Sequence, residues 1–178
     1  MQTAMELSER CRRIELILSD VDGVLTDGGI IFNNEGIETK RFQTRDGLAI
    51  KLWRRTGGRF GLLTGRSSHI VKLRASELEV DLLRQGFEDK LPVAQQLIRE
   101  LELEADQVCY IGDDLPDLPV IRHVGLGVAV ADAAAEIQAA AHHVTELAGG
   151  HGAVRETVEM ILKAKGLWAS IVEGYSTN

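Results

Sequence analysis

The sequence contains few of the features that are typical of secreted or membrane-bound chains. Its 178 residues include only two cysteines, Cys11 and Cys109. Two are too few for a disulfide framework, and the apolar run around Cys109 predicts a buried thiol. The charged N-terminal segment lacks the central apolar run of a signal peptide or a membrane span. We therefore expect a cytoplasmic protein without a membrane partner.

Positively charged residues are also fewer than negatively charged ones. Twenty lysines and arginines face 27 aspartates and glutamates, which gives a formal net charge of -7. A surface of this sign repels phosphate backbones, so we expect no nucleic-acid partner, and any bound phosphate must meet a local positive site. The 44% hydrophobic and 26% charged residues are typical of a folded protein. At this length we predict one domain spanning residues 1–178.

Short apolar runs alternate with helix-like segments along the chain. The predicted buried strands are 14–18, 60–63, 80–83, 108–111, 126–130 and a short one at 143–145. The predicted helices are 47–55, 68–78, 92–103, 117–123, 132–141 and 153–165, with Asp132 as an N-cap. This alternation predicts an α/β fold with a Rossmann-like parallel sheet and helices on both faces. Such sheets bind ligands at the carboxyl ends of their strands.

One stretch, residues 29–42, interrupts the alternation and is typical of a β-hairpin inserted after the first strand. Apolar side chains such as Ile31, Phe32 and Ile37 are costly to expose on a two-stranded ribbon, so we expect another subunit to cover them. The C-terminal tail, about residues 166–178, is loosely apolar. No insertion is long enough to form a separate cap domain.

Two carboxylates, Asp20 and Asp22, directly follow the first predicted strand and precede Gly23. Carboxylates spaced in this way can divide labour, because one can attack or bind a metal while the other transfers protons. The same Asp-x-Asp-Gly pattern also occurs in plain turns and calcium loops, so by itself it does not distinguish these alternatives.

Candidate phosphate-binding groups follow the next two strands. Thr64 and Arg66 lie where a helix is predicted to begin, which combines a hydroxyl, free N–H groups and a guanidinium. An ordinary capped turn has the same pattern. Lys90 lies near the start of the following helix, where its ammonium can neutralise a carboxylate and a phosphoryl group, although single lysines are usually just solvated.

Three carboxylates, Asp113, Asp114 and Asp117, follow the strand 108–111. Carboxylates this close repel each other in a low-dielectric pocket, and a hard divalent cation, Mg²⁺ above all, would relieve that repulsion. An acidic turn that caps a helix is the alternative. The full set of polar residues follows successive strands in order, which favours one catalytic site at one edge of the sheet.

The ordered motifs, Asp-x-Asp-Gly-x-Leu-Thr at 20–26, Thr64, Lys90 and Gly-Asp-Asp-x-x-Asp at 112–117, resemble those of the haloacid-dehalogenase-like hydrolases. The segments 22–28, 44–47, 110–114, 128–133 and 149–156 narrow the resemblance to the family's capless phosphatases of sugar acids. The resemblance extends over about residues 14–165. Members of this group often carry arginine where His151 stands, which leaves the exact sugar open.

The resemblance implies a Mg²⁺-dependent phosphatase that acts on 3-deoxy-D-manno-octulosonate 8-phosphate in lipopolysaccharide sugar synthesis. The alternatives are a phosphatase for nine-carbon ulosonate or sialate 9-phosphates and a non-catalytic module that partners a sugar-nucleotide synthetase. The resemblance also implies a homotetramer in which the hairpin and tail of one chain help to cover a neighbour's site.

By the same resemblance, Asp20 would attack phosphorus and Asp22 would be the general acid and base, while Thr64 and Lys90 would hold the phosphoryl oxygens. Mg²⁺ would be bound by the side chains of Asp20 and Asp113 and by the main-chain carbonyl of Asp22.

Four further residues were expected to assist this site. Asp114 and Asp117 would orient the metal's waters and Lys90. Arg45 and Arg66 would bind the carboxylate or phosphate of the substrate, because a planar guanidinium pairs with such oxygens.

Overall fold

The computed structural model describes residues 5–176, and its central feature is a six-stranded, fully parallel sheet in the order β5-β4-β1-β6-β7-β8. The two remaining strands, β2 and β3, form a separate antiparallel hairpin. The strands are β1 (Leu16–Ser19), β2 (Ile31–Phe32), β3 (Glu38–Thr39), β4 (Arg59–Thr64), β5 (Leu82–Gln85), β6 (Val108–Gly112), β7 (Leu126–Ala129) and β8 (His143–Val144). The predicted α/β fold is confirmed.

Helices cover both faces of the sheet. They are α1 (Leu7–Arg13), α2 (Thr44–Arg55), α3 (His69–Glu77), α4 (Lys90–Glu100), α5 (Leu118–His123), α6 (Ala135–Ala140), α7 (Ala153–Ala164) and α8 (Trp168–Ser176). Helices α1 and α2 pack against α7, whereas α4 and α6 pack against α5. The two central strands β1 and β6 are wholly buried. Both run as unbroken apolar stretches because neither face of the sheet meets water.

The predicted elements are present, with strand ends within two residues and helix ends within three residues of the sequence-based bounds. Strand β5 begins later than predicted because Val80 and Asp81 complete the preceding turn. The Val80 amide donates to the carbonyl of Ala75 at 2.9 Å, and the Asp81 carboxylate accepts from the Phe60 amide at 2.9 Å.

Three details of the helix predictions need correction. Asp132 is not the N-cap of α6, which begins at Ala135, because its carboxylate accepts instead from the Gly149 amide at 2.9 Å. Helix α1 was not predicted. The tail was expected only to be apolar, yet residues 168–176 form helix α8, and residues 177–178 lie outside the described part. None of the helices within residues 5–176 has the length and apolar character needed to cross a membrane.

The hairpin is shorter than predicted, with two paired residues on each strand. Its turn is fixed by Asn33, whose side-chain oxygen accepts from the amides of Glu35 and Ile37 at 3.0 and 2.9 Å. The side chains of Phe32 and Ile37 remain 57% and 56% exposed. An isolated ribbon of this size is marginally stable, so its contacts with the sheet domain must hold it in place.

Helices α2 and α7 are joined through a buried carboxylate. Asp46 is 1% exposed, and its Oδ1 accepts from the amide of Arg155 at 2.8 Å, in the first turn of α7. Gly47 beside it leaves room for Arg74, since a Cβ there would lie 2.5 Å from a guanidinium nitrogen. Burial raises the pKa of Asp46 to about 6, against the opposing effect of the hydrogen bonds from α7.

This raised pKa predicts a specific pH dependence of stability. The folded state binds the Asp46 proton more tightly than the unfolded chain, so the associated stability is present at low pH and is lost as pH rises through about 6. In Asp46→Asn, the free energy of unfolding relative to the unchanged protein should therefore rise by on the order of 1 kcal/mol between pH 5 and pH 7.5. Urea denaturation at both pH values measures the difference, and a pH-independent difference would contradict the assignment.

Candidate active site

The site lies at the carboxyl ends of the two central strands, β1 and β6. The chain connects β1 outward to β4 and β5 on one side, and then returns to β6 on the other side. A crevice forms at such a reversal, because the flanking loops turn away from each other. Asp20 follows β1 and Asp113 follows β6, and the Asp20 amide donates to the carbonyl of Ile111 at 3.0 Å.

Three carboxylates meet in this crevice. One oxygen from each of Asp20, Asp113 and Asp117 lies within 4.8 Å of the other two. Lys90, the first residue of α4, reaches between them, with Nζ 2.8 Å from Asp20 Oδ2 and 2.6 Å from Asp117 Oδ1. The lysine side chain is 2% exposed. The structure thus brings together four of the residues that the sequence analysis expected to form one site.

Asp117 is fully occupied by protein donors. Its Oδ1 accepts from Lys90 and from the Tyr110 hydroxyl at 2.6 Å, and its Oδ2 accepts from the amides of Asp113 and Asp114 at 2.9 and 3.3 Å. Burial, followed by the charge of Asp117, raises the pKa of Tyr110 well above its ordinary value, which keeps the phenol protonated as a donor. Asp117 is therefore suited to orient its neighbours rather than to bind a metal directly.

Asp20 and Asp113 have fewer donors than Asp117. Burial, with the charge of Asp117 adding to it and that of Lys90 opposing it, raises the pKa of Asp20 to about 6. Burial and then the charge of Asp20 raise the pKa of Asp113 to about 8. Asp113 Oδ1 is buried and has no hydrogen-bond partner among residues 5–176. An unpaired buried oxygen between carboxylates fits a hard divalent cation, which would bind the oxygens and favour their charged forms.

Glycines allow the loops of the site to approach one another. Gly23 has φ of +91°, and a Cβ there would lie 2.1 Å from Asp113 Oδ2. The loop 149–152 packs against the loop after β1, where a Cβ on Gly149 would lie 1.8 Å from the Gly23 carbonyl oxygen. The Gly150 amide donates to Val24 at 2.9 Å. A side chain at Gly23 would displace the Asp113 carboxylate, and one at Gly149 would displace the loop after β1.

Thr64 ends strand β4, which pairs with β1, and so lies at the same edge of the sheet. It is 2% exposed, and its hydroxyl oxygen lies 3.4 Å from the Arg66 amide. A hydroxyl and an N–H group at the end of a buried strand can both donate to a phosphoryl oxygen.

Asp22 faces two cations. Its Oδ2 is 3.7 Å from Arg66 Nε, and its Oδ1 contacts the ammonium of Lys40, whose side chain is 1% exposed. Lys40 was not among the predicted site residues. Its only signal was its position late in the predicted hairpin, where alternating charged residues are typical of a solvated strand.

The remaining predicted residues are more peripheral. Asp114 is exposed, and its carboxylate accepts from the Leu115 amide at 2.8 Å, which caps a short 3-10 helix. His151 Nδ1 is 2.8 Å from the Gly149 carbonyl oxygen. Arg45 is exposed and lines a different cleft beside α7. The other residues lining that cleft are His143, Glu146, Leu147, Arg155, Glu156, Glu159, Met160 and Lys163.

Comparison with known proteins assigns this arrangement to a family. Residues 80–156 match the model of the haloacid dehalogenase-like hydrolases. Over 162 residues the chain is 43% identical to the 3-deoxy-D-manno-octulosonate 8-phosphate phosphatase of Yersinia pestis. The match covers 91% of this chain and 87% of that protein. The chain belongs to the haloacid dehalogenase-like hydrolase family.

Two solved structures resemble it throughout. The 3-deoxy-D-manno-octulosonate 8-phosphate phosphatase of Moraxella catarrhalis, in complex with a magnesium ion, a phosphate ion and KDO, is 40% identical with a TM-score of 0.93 and covers 94% of this chain and 97% of its own. The cobalt-bound phosphatase from Haemophilus influenzae is 36% identical with a TM-score of 0.90. That match covers 94% of this chain and 99% of the Haemophilus chain.

The two neighbouring carboxylates Asp113 and Asp114 provide a matched test of metal binding. We expect Mg²⁺ at 100 times its dissociation constant to stabilise the protein by about 2.7 kcal/mol, which raises Tm by several degrees. Asp113→Asn should abolish this increase while leaving the metal-free protein about as stable, because the pKa of about 8 keeps the metal-free Asp113 carboxyl largely uncharged near neutral pH. Asp114→Asn should retain most of the increase. Thermal unfolding with and without Mg²⁺ measures both, and an equal loss in the two variants would contradict the assignment.

Proposed function

We propose that this protein is a magnesium-dependent phosphatase that hydrolyses 3-deoxy-D-manno-octulosonate 8-phosphate, an eight-carbon sugar acid phosphate. The observation that carries the proposal is the buried cluster of Asp20, Asp113 and Asp117 around Lys90. A cluster of this charge fits a site for Mg²⁺ and a phosphoryl group. Relatives at about 40% identity carry the name of this activity.

Asp20 is the proposed nucleophile. Its carboxylate attacks phosphorus in line with the sugar oxygen, the bond between phosphorus and that oxygen breaks, and an aspartyl-phosphate forms. The amide of Val21 donates to Asp20 Oδ1 at 2.7 Å, and Lys90 holds Oδ2. With both oxygens restrained, the attacking carboxylate is oriented before substrate arrives.

Asp22 is the proposed general acid and base, two residues further along the same loop. In the first step it donates a proton to the departing sugar oxygen. In the second step it accepts a proton from the water that attacks the aspartyl-phosphate, which releases phosphate and restores Asp20. Its greater exposure, 16% of the side chain against 12% for Asp20, is consistent with a position facing the substrate.

The phosphoryl oxygens are held by Thr64 and Lys90 in this proposal. Lys90 already neutralises part of the charge on Asp20 and Asp117. Arg66 is 45% exposed and pairs with Glu38 at 2.8 Å, so it can turn toward the carboxylate of a sugar acid. Arg45 lies in the separate cleft beside α7, and from there we expect it to act on substrate only across a subunit boundary.

We assign the metal to the side chains of Asp20 and Asp113 and the main-chain carbonyl of Asp22, with Asp114 and Asp117 around them. The bound Mg²⁺ supplies positive charge that reduces the repulsion between the attacking carboxylate and the phosphate. Asp117 contributes indirectly, because it fixes Lys90 and the Asp113 amide. We place the enzyme in the cytoplasm, consistent with its two free, buried thiols.

Direct kinetics test the substrate assignment. We expect kcat/KM for the eight-carbon 8-phosphate to exceed that for nine-carbon ulosonate 9-phosphates, because specificity is the ratio of these constants. Asp20→Asn should lower kcat by about 1000-fold or more with an unchanged fold, and a chelator should abolish turnover until Mg²⁺ is restored. A preference for the nine-carbon acids would contradict the substrate assignment. Full activity in Asp20→Asn would contradict the assignment of Asp20 as the nucleophile.

We further propose that the chain forms a homotetramer in which hairpin and tail cover a neighbour's site. Apolar side chains support this: Ile31 and Phe32 on the hairpin are 50% and 57% exposed, and Val172 and Tyr175 on α8 are 47% and 58% exposed. Exposed apolar side chains on small projecting elements are typical of subunit interfaces.

Light scattering tests the assembly. The unchanged protein should give about four chains per particle, and Phe32→Glu should give smaller particles because it places a charge in the apolar contact. Leu73→Glu, at an equally exposed leucine on α3, is the matched control and should leave the mass unchanged. A monomeric unchanged protein would contradict the proposal.

A further inference from the structure

Lys40 is unusual for a residue of the hairpin. Apolar side chains of the hairpin are exposed, Phe32 to 57%, yet only 1% of the Lys40 side chain is exposed. Burying an ammonium is costly unless carboxylates surround it. Lys40 meets two: Asp22, through a direct contact with Oδ1, and Glu38, whose Oε1 is 3.3 Å away.

Glu38 extends this contact into a closed ring. Its Oε1 pairs with Arg66 at 2.8 Å, and its Oε2 accepts from the Ser68 hydroxyl at 2.6 Å. Arg66 in turn lies 3.7 Å from Asp22 Oδ2. The hydrogen bond from Ser68, followed by the charge of Lys40, outweighs burial and lowers the pKa of Glu38. Two carboxylates and two cations therefore alternate around the ring, so no like charges are adjacent.

The ring joins three separate parts of the chain. Asp22 comes from the loop after β1, Arg66 and Ser68 come from the loop between β4 and α3, and Lys40 and Glu38 come from the hairpin. The hairpin strands pair over only two residues each. This ring is consequently a major constraint on where the hairpin lies relative to Asp22.

We propose that Lys40 is a positioning residue that fixes the Asp22 carboxylate for proton transfer to the departing sugar oxygen, an inference that rests on the proposed phosphatase function. An aspartate side chain has two rotatable bonds, and its two oxygens are held here by different cations. Proton transfer requires the carboxyl group within hydrogen-bond reach of the leaving oxygen. Without Lys40, Asp22 samples other rotamers and the hairpin loses its direct link to the site.

The test compares two phosphate esters. Lys40→Met should lower kcat/KM for the sugar acid phosphate by about 10- to 100-fold with KM changed less than about threefold, which is part of the roughly 100- to 10,000-fold that general acid catalysis contributes. The loss in kcat/KM, which reports formation of the aspartyl-phosphate and not its later hydrolysis, should be much smaller for p-nitrophenyl phosphate, whose leaving group departs without protonation. Lys40→Arg should restore a large part of the rate. Lys72→Met, at an exposed lysine on α3, is the control and should match the unchanged protein.

A double-mutant cycle shows whether Lys40 acts through Asp22. In an Asp22→Asn background, Lys40→Met should have little further effect on the sugar acid phosphate, because coupled residues are not additive. Equal losses on both esters, a change confined to KM, or additive effects in the cycle would overturn the positioning role. If the unchanged protein hydrolyses neither ester, the proposed function fails and this inference fails with it. If it is active and Lys40→Met is unimpaired, only the inference fails.

Discussion

The site is organised around one buried cation, the ammonium of Lys90, held between Asp20 and Asp117. An isolated pair of buried charges is of little net benefit to stability, because desolvation offsets most of the attraction. In this site three carboxylates converge, and the single lysine leaves the cluster with excess negative charge. Burial, followed by the neighbouring charge of Asp20, raises the pKa of Asp113, and no donor among residues 5–176 pairs with its Oδ1. The fold therefore tolerates an electrostatic imbalance that a divalent cation removes.

The sheet topology makes this convergence possible. Strands β1 and β6 are adjacent and parallel, so the residues that follow them emerge at one edge, and the reversal of strand order opens space between their loops. Gly23 and Gly149 then allow the loop after β1 to lie against both Asp113 and the loop before α7. Asp46 holds the loop before α7 in place, because its carboxylate accepts from an amide in the first turn of α7. The carboxylates are thus positioned by the two central strands and by the loops that pack against them.

Much of this arrangement was predictable from sequence because it depends on local patterns. Apolar runs located the strands, and Asp20, Thr64, Lys90 and Asp113 were each placed by the end of a strand or the start of a helix. The errors involve long-range contacts. Asp132 has the residue type of an N-cap but binds the Gly149 amide 17 positions away.

Lys40 illustrates the same limit at the site itself. Nothing local separates a lysine that enters a ring of ion pairs from one that points into water, since the difference depends on residues brought together by folding. Its partner Asp22 is 18 positions distant, and Arg66, the other cation of the ring, is 26 positions distant. Arg45 is the converse case, because its motif predicted a substrate contact and the structure places it in another cleft.

The hairpin connects these observations to the proposed assembly. It exposes apolar side chains on its outer surface and inserts Lys40 and Glu38 toward the catalytic loops on its inner surface. If a neighbouring subunit covers the outer surface, it also restricts the motion of the inner one, because two paired residues per strand cannot hold the ribbon rigid alone. Subunit contact and the placement of Asp22 would then be linked through one short ribbon. In the proposed homotetramer, the neighbouring subunit would therefore restrict the motion of the ribbon that holds Lys40 against Asp22.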